Sequence, residues 1–179
     1  MKKVIFFNGL PGSGKLTIAN LLANKTGAKV IDNHHVNNLI FGIKEFDADV
    51  PSFVWKFIDE VKSNLYATLA KLEQTEDYIL TGCLVTGADP NLQMAKDFAK
   101  NLNAELIVIN LVCSQDKILD RINTQDRVNR RKLTDIEVYK RVIDEEYMSF
   151  PENSQTIDNS HQNPLETFIE VCKILKVKV

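Results

Sequence analysis

Apolar residues in this chain fall into short continuous runs separated by longer stretches of helical spacing. The runs at 3–8, 29–32, 78–85, 105–112 and 156–158 are rich in Val, Ile, Leu and Phe with little alternation, as strands buried on both faces require. Between them, 15–25, 51–71, 90–101, 116–122, 134–148 and 164–176 carry the helical period. Within 51–71, Val54, Phe57, Ile58, Val61, Leu65 and Leu69 recur at that period and predict a stripe packed on the core. Asp89-Pro90, Asn163-Pro164 and Ser149-Phe150-Pro151 mark helix starts or breaks. Strands alternating with helices predict a parallel sheet with helices on both faces, and such a sheet places its ligand site at the carboxyl ends of its strands.

Polar residues gather at those ends: Asn8 and the loop after it, Asp32-Asn33-His34-His35, Thr81-Gly82-Cys83, Cys113-Ser114 and Asp158-Asn159-Ser160. The first is the most informative. Gly9 to Thr17 reads Gly-Leu-Pro-Gly-Ser-Gly-Lys-Leu-Thr directly after the apolar run Val4-Ile5-Phe6-Phe7, and it fits the phosphate-cradling pattern G-x-x-x-x-G-K-[Ser/Thr] at every fixed position except the last. Glycines let backbone N–H groups turn inward around a polyphosphate where a Cβ would obstruct. Lys15 supplies a charge to the β- and γ-phosphates, and the helix that starts beside it adds the positive end of its dipole. Leu10, Pro11, Gly12, Ser13, Gly14, Lys15, Leu16 and Thr17 are thus the expected phosphate-binding residues.

Position 16 departs from the pattern. Ser or Thr there would ligate Mg²⁺ through its hydroxyl, and Leu16 cannot. Mg²⁺ gives up water reluctantly and commonly keeps several waters, so the expectation is a metal with no direct protein ligand, held through water near Thr17 and Asp32. The alternative is a loop that binds nucleotide without turning it over.

Asp32 closes the second strand run, across the cleft from the phosphate loop, where it is placed to orient a substrate hydroxyl or accept its proton. An Asp at a strand-to-helix junction can also serve only as a helix N-cap. His34 and His35 are adjacent, so on a helix they point about 100° apart and cannot both line one site.

The segment from Arg121 to Lys132 holds five basic residues in a chain of net charge −2. Guanidinium groups on a loop that closes over a phosphoryl group stabilise its developing charge and exclude water. The expectation is a cationic lid over 121–133; a solvated basic helix face is the alternative.

The weakly acidic balance argues against a nucleic-acid binder. Cys83, Cys113 and Cys172 are odd in number, far apart and set in apolar segments, which points to reduced thiols in a cytoplasmic protein and away from disulfides or zinc. No stretch approaches membrane-spanning length. The 179 residues make one domain, 1–179, with a helical acceptor-binding region at about 33–75.

These features together resemble the small P-loop kinase group that includes shikimate, gluconate and nucleoside monophosphate kinases. The phosphate loop, Asp32, Thr81-Gly82, the arginine-rich lid and Asp158-Asn159-Ser160 stand in the matching order. The resemblance implies a three-layer α/β fold of the P-loop NTPase type, with a five-stranded parallel sheet in the order 2-3-1-4-5. It implies Arg121 stacked on adenine, Arg127 and Arg130 or Arg131 toward the phosphates, and Asn159 beside the adenine pocket. The expected activity is ATP-dependent, Mg²⁺-assisted phosphoryl transfer to a small-molecule acceptor, with Lys15, Asp32, Arg127 and Arg130 as the catalytic set. The alternatives are a nucleoside monophosphate kinase and a non-catalytic ATP-binding module. Residues 33–71 carry no signature of a particular acceptor, and the expected assembly is a monomer or a homodimer.

Overall fold

The computed structural model describes residues 1–44, 46, 50–72, 75–87, 89–129, 132–142 and 147–178. Five parallel strands, β1 (Lys3–Asn8), β2 (Lys29–Asp32), β3 (Tyr78–Gly82), β4 (Glu105–Val112) and β5 (Gln155–Asp158), form one sheet in the order β2-β3-β1-β4-β5. This is the expected 2-3-1-4-5 order and the P-loop kinase fold. β1 lies in the middle, with Phe7 opposite Thr81 on one side and Ile109 on the other.

The pleat sorts the apolar residues of the central strands into two cores. Ile5, Phe7, Ile79, Ile109 and Leu111 face helices α1 (Lys15–Thr26) and α8 (Pro164–Leu175), packing with Ile18, Leu22, Phe168 and Val171. Val4, Phe6, Leu80 and Val108 face the opposite side, where α3 (Ser52–Leu69) and α4 (Pro90–Asn101) supply Leu65, Ala95 and Phe98. Each fully buried Phe or Leu contributes about 1.5–3 kcal/mol, so these two layers carry most of the stability.

The functional edge is held by buried amides. Asn8 and Asn110, opposite each other on β1 and β4, are both fully buried, and Asn8 Nδ2 donates to Asn110 Oδ1 at 2.8 Å. Asn8 also donates to Ser149 O (2.9 Å) and accepts from Leu84 N (2.8 Å), which pins two site loops to the central strand.

β3 ends at Gly82, short of the expected limit at Val85. β1 gives way to the phosphate loop there, so no strand remains to pair with Cys83 and beyond. Leu84 N turns to Asn8, Val85 N goes to Asp89 Oδ2 at 2.7 Å, and Val85 makes an isolated antiparallel bridge with Met148. The same bridge ends the segment expected as a helix over 134–148: α7 spans Ile136–Val142, and Tyr147 to Ser149 pair instead with the loop after β3 through Thr86 N and Leu84 O. Helix α2 (Asn33–Phe41) and α3 lie within the expected helical region, joined by the cluster of Val36, Val54 and Ile58. Phe57, expected in the core stripe of α3, is 43% exposed.

Candidate active site

The phosphate loop leaves β1 at Asn8. A Cβ on Gly9 would stand 2.6 Å from Leu111 O, so only glycine passes that close to β4. Gly12 and Gly14 both sit at φ 91°, in the left-handed region that disfavours residues with a Cβ. No side chain caps α1, so its first N–H groups face the loop interior, ready for an anion. These are the features a polyphosphate requires, and the nucleotide phosphates fit them.

Lys15 Nζ donates to Gly9 O at 2.6 Å and Leu10 O at 2.9 Å, holding the loop closed on itself. Burial, the largest influence, together with the nearby Lys132 and Arg127 charges and against the opposing effect of Cys83 and Asp32, lowers its ammonium to about 8. Pro11, Gly12, Gly14, Lys15, Leu16 and Thr17 line a cleft of about 1680 Å³. Leu10 packs instead in the cluster of Cys113, Ile118, Ile122 and Tyr139 beneath the lid. Ser13 is fully buried under the loop, and its carbonyl accepts from Asn159 Nδ2 at 2.8 Å. Asn159, expected beside adenine, is 4% exposed and braces the phosphate loop from below. Asp158 Oδ1 and Ser160 tie that turn together, and Ser160 Oγ accepts from Ser114 N at 2.8 Å.

Asp32 is buried at the end of β2 and lines the same cleft. It stands at the N-cap position of α2 but its carboxylate caps nothing. Thr81 Oγ1, on the adjacent β3, donates to Oδ1 at 2.6 Å, and Lys132 Nζ donates to Oδ2 at 3.1 Å. Burial pushes the carboxyl up, but the Thr81 hydrogen bond and the Lys132 and His34 charges outweigh it, and the group is held below its ordinary range. Asp32 is therefore an anion at neutral pH, with both oxygens oriented. His34 also lines the cleft; burial, followed by the Lys132 charge, lowers it to about 4, so it is neutral at pH 7. His35 is exposed.

Helices α5 (Gln115–Ile122), α6 (Gln125–Asn129) and α7 surround the expected lid. Arg121 lines the cleft, and its Nη1 donates to Cys113 Sγ at 3.3 Å. Arg127 lines it too, with Nε and Nη2 both donating to Leu133 O at 3.2 and 2.7 Å, which ties Leu133 to α6. Arg130 and Arg131 lie outside the described residues.

Two lysines that the sequence did not single out stand in the site. Lys132 belongs to the basic stretch, but only the fold shows that it pairs with Asp32. Lys62 is one of three buried residues of α3, with Val54 and Ile58. Its signal was a charge spaced by four and eight from two apolar positions, on the face that packs.

Mg²⁺ would find hard oxygen donors here in Thr17 and Asp32, both on the cleft. Among the described residues no group of three or more His, Cys, Asp or Glu side chains is arranged to hold a metal directly, so these donors suit an ion that keeps most of its waters. No described helix is long and apolar enough to cross a membrane.

The profile of an AAA domain family matches residues 5–155, most of the chain. No curated protein sequence matches. Solved structures similar over nearly the full length of both chains include a proposed kinase from Chloroflexus aurantiacus (17% identity, TM-score 0.69, covering 99% of this chain and 98% of that one). The APS kinase of Mycobacterium tuberculosis, solved with AMPPNP and APS, is 16% identical (TM-score 0.64, 98% of each chain). The shikimate kinase of Aquifex aeolicus is 17% identical (TM-score 0.56, 97% and 96%). The chain belongs to this AAA domain family and shares the fold of the small P-loop kinases.

Proposed function

We propose that the protein is an ATP-dependent kinase that phosphorylates a hydroxyl group of a small molecule. One observation carries this reading: the buried, ionised Asp32, oriented by Thr81, shares a single cleft with the phosphate loop and its lysine. Lys15 and the free N–H groups of α1 bind the β- and γ-phosphates. Asp32 orients the acceptor hydroxyl in line with the γ-phosphorus. The acceptor oxygen forms the new bond to phosphorus as the bond to the β,γ-bridging oxygen breaks and ADP departs, and the hydroxyl proton passes to Asp32. A carboxylate held below its ordinary range is a weak base, so it takes that proton late, which suits a loose transition state in which the nucleophile contributes little.

Lys132 and Arg127, with Arg121 on the same wall, place positive charge where the transferring group accumulates negative charge. Mg²⁺, when bound with ATP, neutralises phosphate charge; Thr17 and Asp32 would hold its waters. The catalytic set proposed is Lys15, Asp32 and Arg127, with Lys132 added.

Release of ADP from Mg-ATP, screened over sugars, sugar acids, nucleosides, nucleoside monophosphates and hydroxy acids, tests the reading. A hit that Lys15→Ala abolishes supports it. ATP binding with no turnover on any acceptor would favour a nucleotide-binding module in which Leu16 records lost catalysis.

A further inference from the structure

The wall of the cleft away from the phosphate loop carries three interacting charges: Asp59 and Lys62 on α3, and Asp89 ahead of α4. Lys62 is 7% exposed, its Nζ donates to Asn91 Oδ1 at 2.9 Å, and both carboxylates act on its charge. Asp89 is hydrogen-bonded as well, accepting from Val85 N, Asn91 N and Asn91 Nδ2 at 2.7 to 2.8 Å. Asp59 is the member of the three that accepts no hydrogen bond from any described residue, although it is partly buried. One ammonium against two carboxylates leaves the group a positive charge short, and Lys44, which also lines the cleft, is exposed to solvent. Burial above all, with the like charge of Asp89, raises the Asp59 carboxyl against the pull of Lys62.

A second observation points to an occupant that brings hydrogen-bond donors. Asn37 on α2 is 6% exposed and lines the same cleft, and its Oδ1 has no hydrogen-bond partner among the described residues. A buried acceptor in that state calls for an N–H or O–H from a ligand. Asn37 lies one turn before Phe41 on α2, and Asp59 one turn after Trp55 on α3. Phe41 and Trp55 meet edge to face with ring centroids 5.5 Å apart, and all four residues line the cleft. Acceptor oxygens beside aromatic rings suit an alkylammonium: the carboxylate is its counter-charge, the oxygens take its N–H groups, and the rings attract the cation.

We infer that the phosphoryl acceptor is a small hydroxylated amine bound as its ammonium, with Asp59 as counter-charge, Asn37 Oδ1 accepting an N–H or O–H, and Trp55 beside the cation. The inference rests on the kinase reading above and narrows it to a substrate class; a hydroxyl of the same molecule is the group that Asp32 orients. A carboxylate or phosphate here would add a third negative charge against the one ammonium of Lys62. A neutral polyol would satisfy Asn37 and leave Asp59 as it stands.

The test uses matched sets: glucosamine, glucose and gluconate; aminopropanediol, glycerol and glycerate; ethanolamine, ethylene glycol and glycolate. Each compound is assayed for ADP release with Mg-ATP and, separately, for stabilisation of the AMPPNP-bound protein in thermal denaturation. The amine of at least one set should bind and turn over at least tenfold better than its neutral and anionic counterparts. For glucosamine the advantage should vanish on N-acetylation, which keeps an N–H and removes the charge. Asp59→Asn should raise KM for the amine about tenfold, the lower end for a hydrogen bond to a charged group because Asp59 is only partly buried. KM for ATP should stay within twofold, with partial recovery in Asp59→Glu. Absence of a preference for the amine, silence across all sets included, or indifference to Asp59→Asn would overturn the inference and leave the kinase reading to the wider screen above. Asp59-dependent binding of the amine without ADP release would do the reverse, upholding the site and counting against phosphoryl transfer. If Asp59→Asn fails to fold, the ratio of amine to neutral counterpart in the wild type decides alone.

Discussion

Replacing Lys132 with methionine removes one ammonium and keeps most of the side-chain volume. In the folded protein that ammonium lies 3.1 Å from Asp32 Oδ2, with the two side chains 13% and 6% exposed. A charge-assisted hydrogen bond in such surroundings is worth about 1.5–3 kcal/mol. For a domain of this size that corresponds to a fall in Tm of roughly 4–10 °C at pH 7. The loss has a defined pH dependence. The folded pKa of Asp32 is depressed, so its contribution to stability is fully present above the unfolded value of about 3.9 and fades as pH falls through the folded value. Without Lys132 the carboxyl rises, because burial then faces only Thr81 and His34.

The gap between wild type and Lys132→Met should accordingly be widest near neutrality and narrow as pH falls below about 4 toward the depressed folded value, where the wild-type carboxyl also takes up its proton. Thermal denaturation followed by circular dichroism at pH 7, 5 and 3.5 reads this directly. The double variant with Asp32→Asn should be no less stable than the sum of the two single changes would give, since both remove the same bond. An unchanged Tm at pH 7, or a gap that stays constant with pH, would refute the pairing of Lys132 with Asp32 on which the site is built.

Gly12→Ala places a Cβ at φ 91° and 3.0 Å from Ile118 Cγ2, so it should cost about 1–3 kcal/mol and weaken ATP binding measured by calorimetry. His34 is lowered to about 4 in the folded protein; protonation opposes folding as pH falls from about 6.5 toward 4, so wild-type stability should decline over that window by about 3 kcal/mol. His34→Gln should flatten the decline in a pH series of denaturant melts, and should leave ADP release between pH 6 and 8 unchanged in shape, the histidine being neutral there. On the proposal that the native loop holds Mg²⁺ through water, Leu16→Ser should shift the Mg²⁺ concentration dependence of turnover without raising the maximal rate more than severalfold; a large rise would show the native loop to be metal-deficient.

Much of the scaffold was legible because its signals are local. Continuous apolar runs marked the five strands, and Gly-Leu-Pro-Gly-Ser-Gly-Lys fixed both the loop and the strand end that carries it. The order of strands 2-3-1-4-5 came through the family resemblance, since periodicity says nothing about which strands are neighbours. What failed was set by long-range contacts. Val85 reads as strand, but Asn8 and Asp89 take the N–H groups of the residues after Gly82. Met148 reads as helix, but it bridges Val85. Phe57 fits the period of α3 yet lies at its solvent edge, and Lys62 is a charge that nonetheless lies inside, on the face of Val54 and Ile58. Asp32 illustrates both sides: its placement on the cleft followed from strand order, whereas its partners Thr81 and Lys132 are 49 and 100 residues away and became visible only in the fold. Asn159 was expected to face adenine, and its position under the phosphate loop gives it a part in holding Ser13 in place.

The central claim is that Asp32 and Lys15 act on one transferred phosphoryl group, and single-turnover transfer of labelled γ-phosphate from Mg-ATP to the identified acceptor tests it most directly. Asp32→Asn should slow transfer by about 10²- to 10⁴-fold while the dissociation constant for ATP stays within a few-fold, and Lys15→Ala should impair both. Transfer at the wild-type rate in Asp32→Asn, with the label on the same acceptor, would contradict the account.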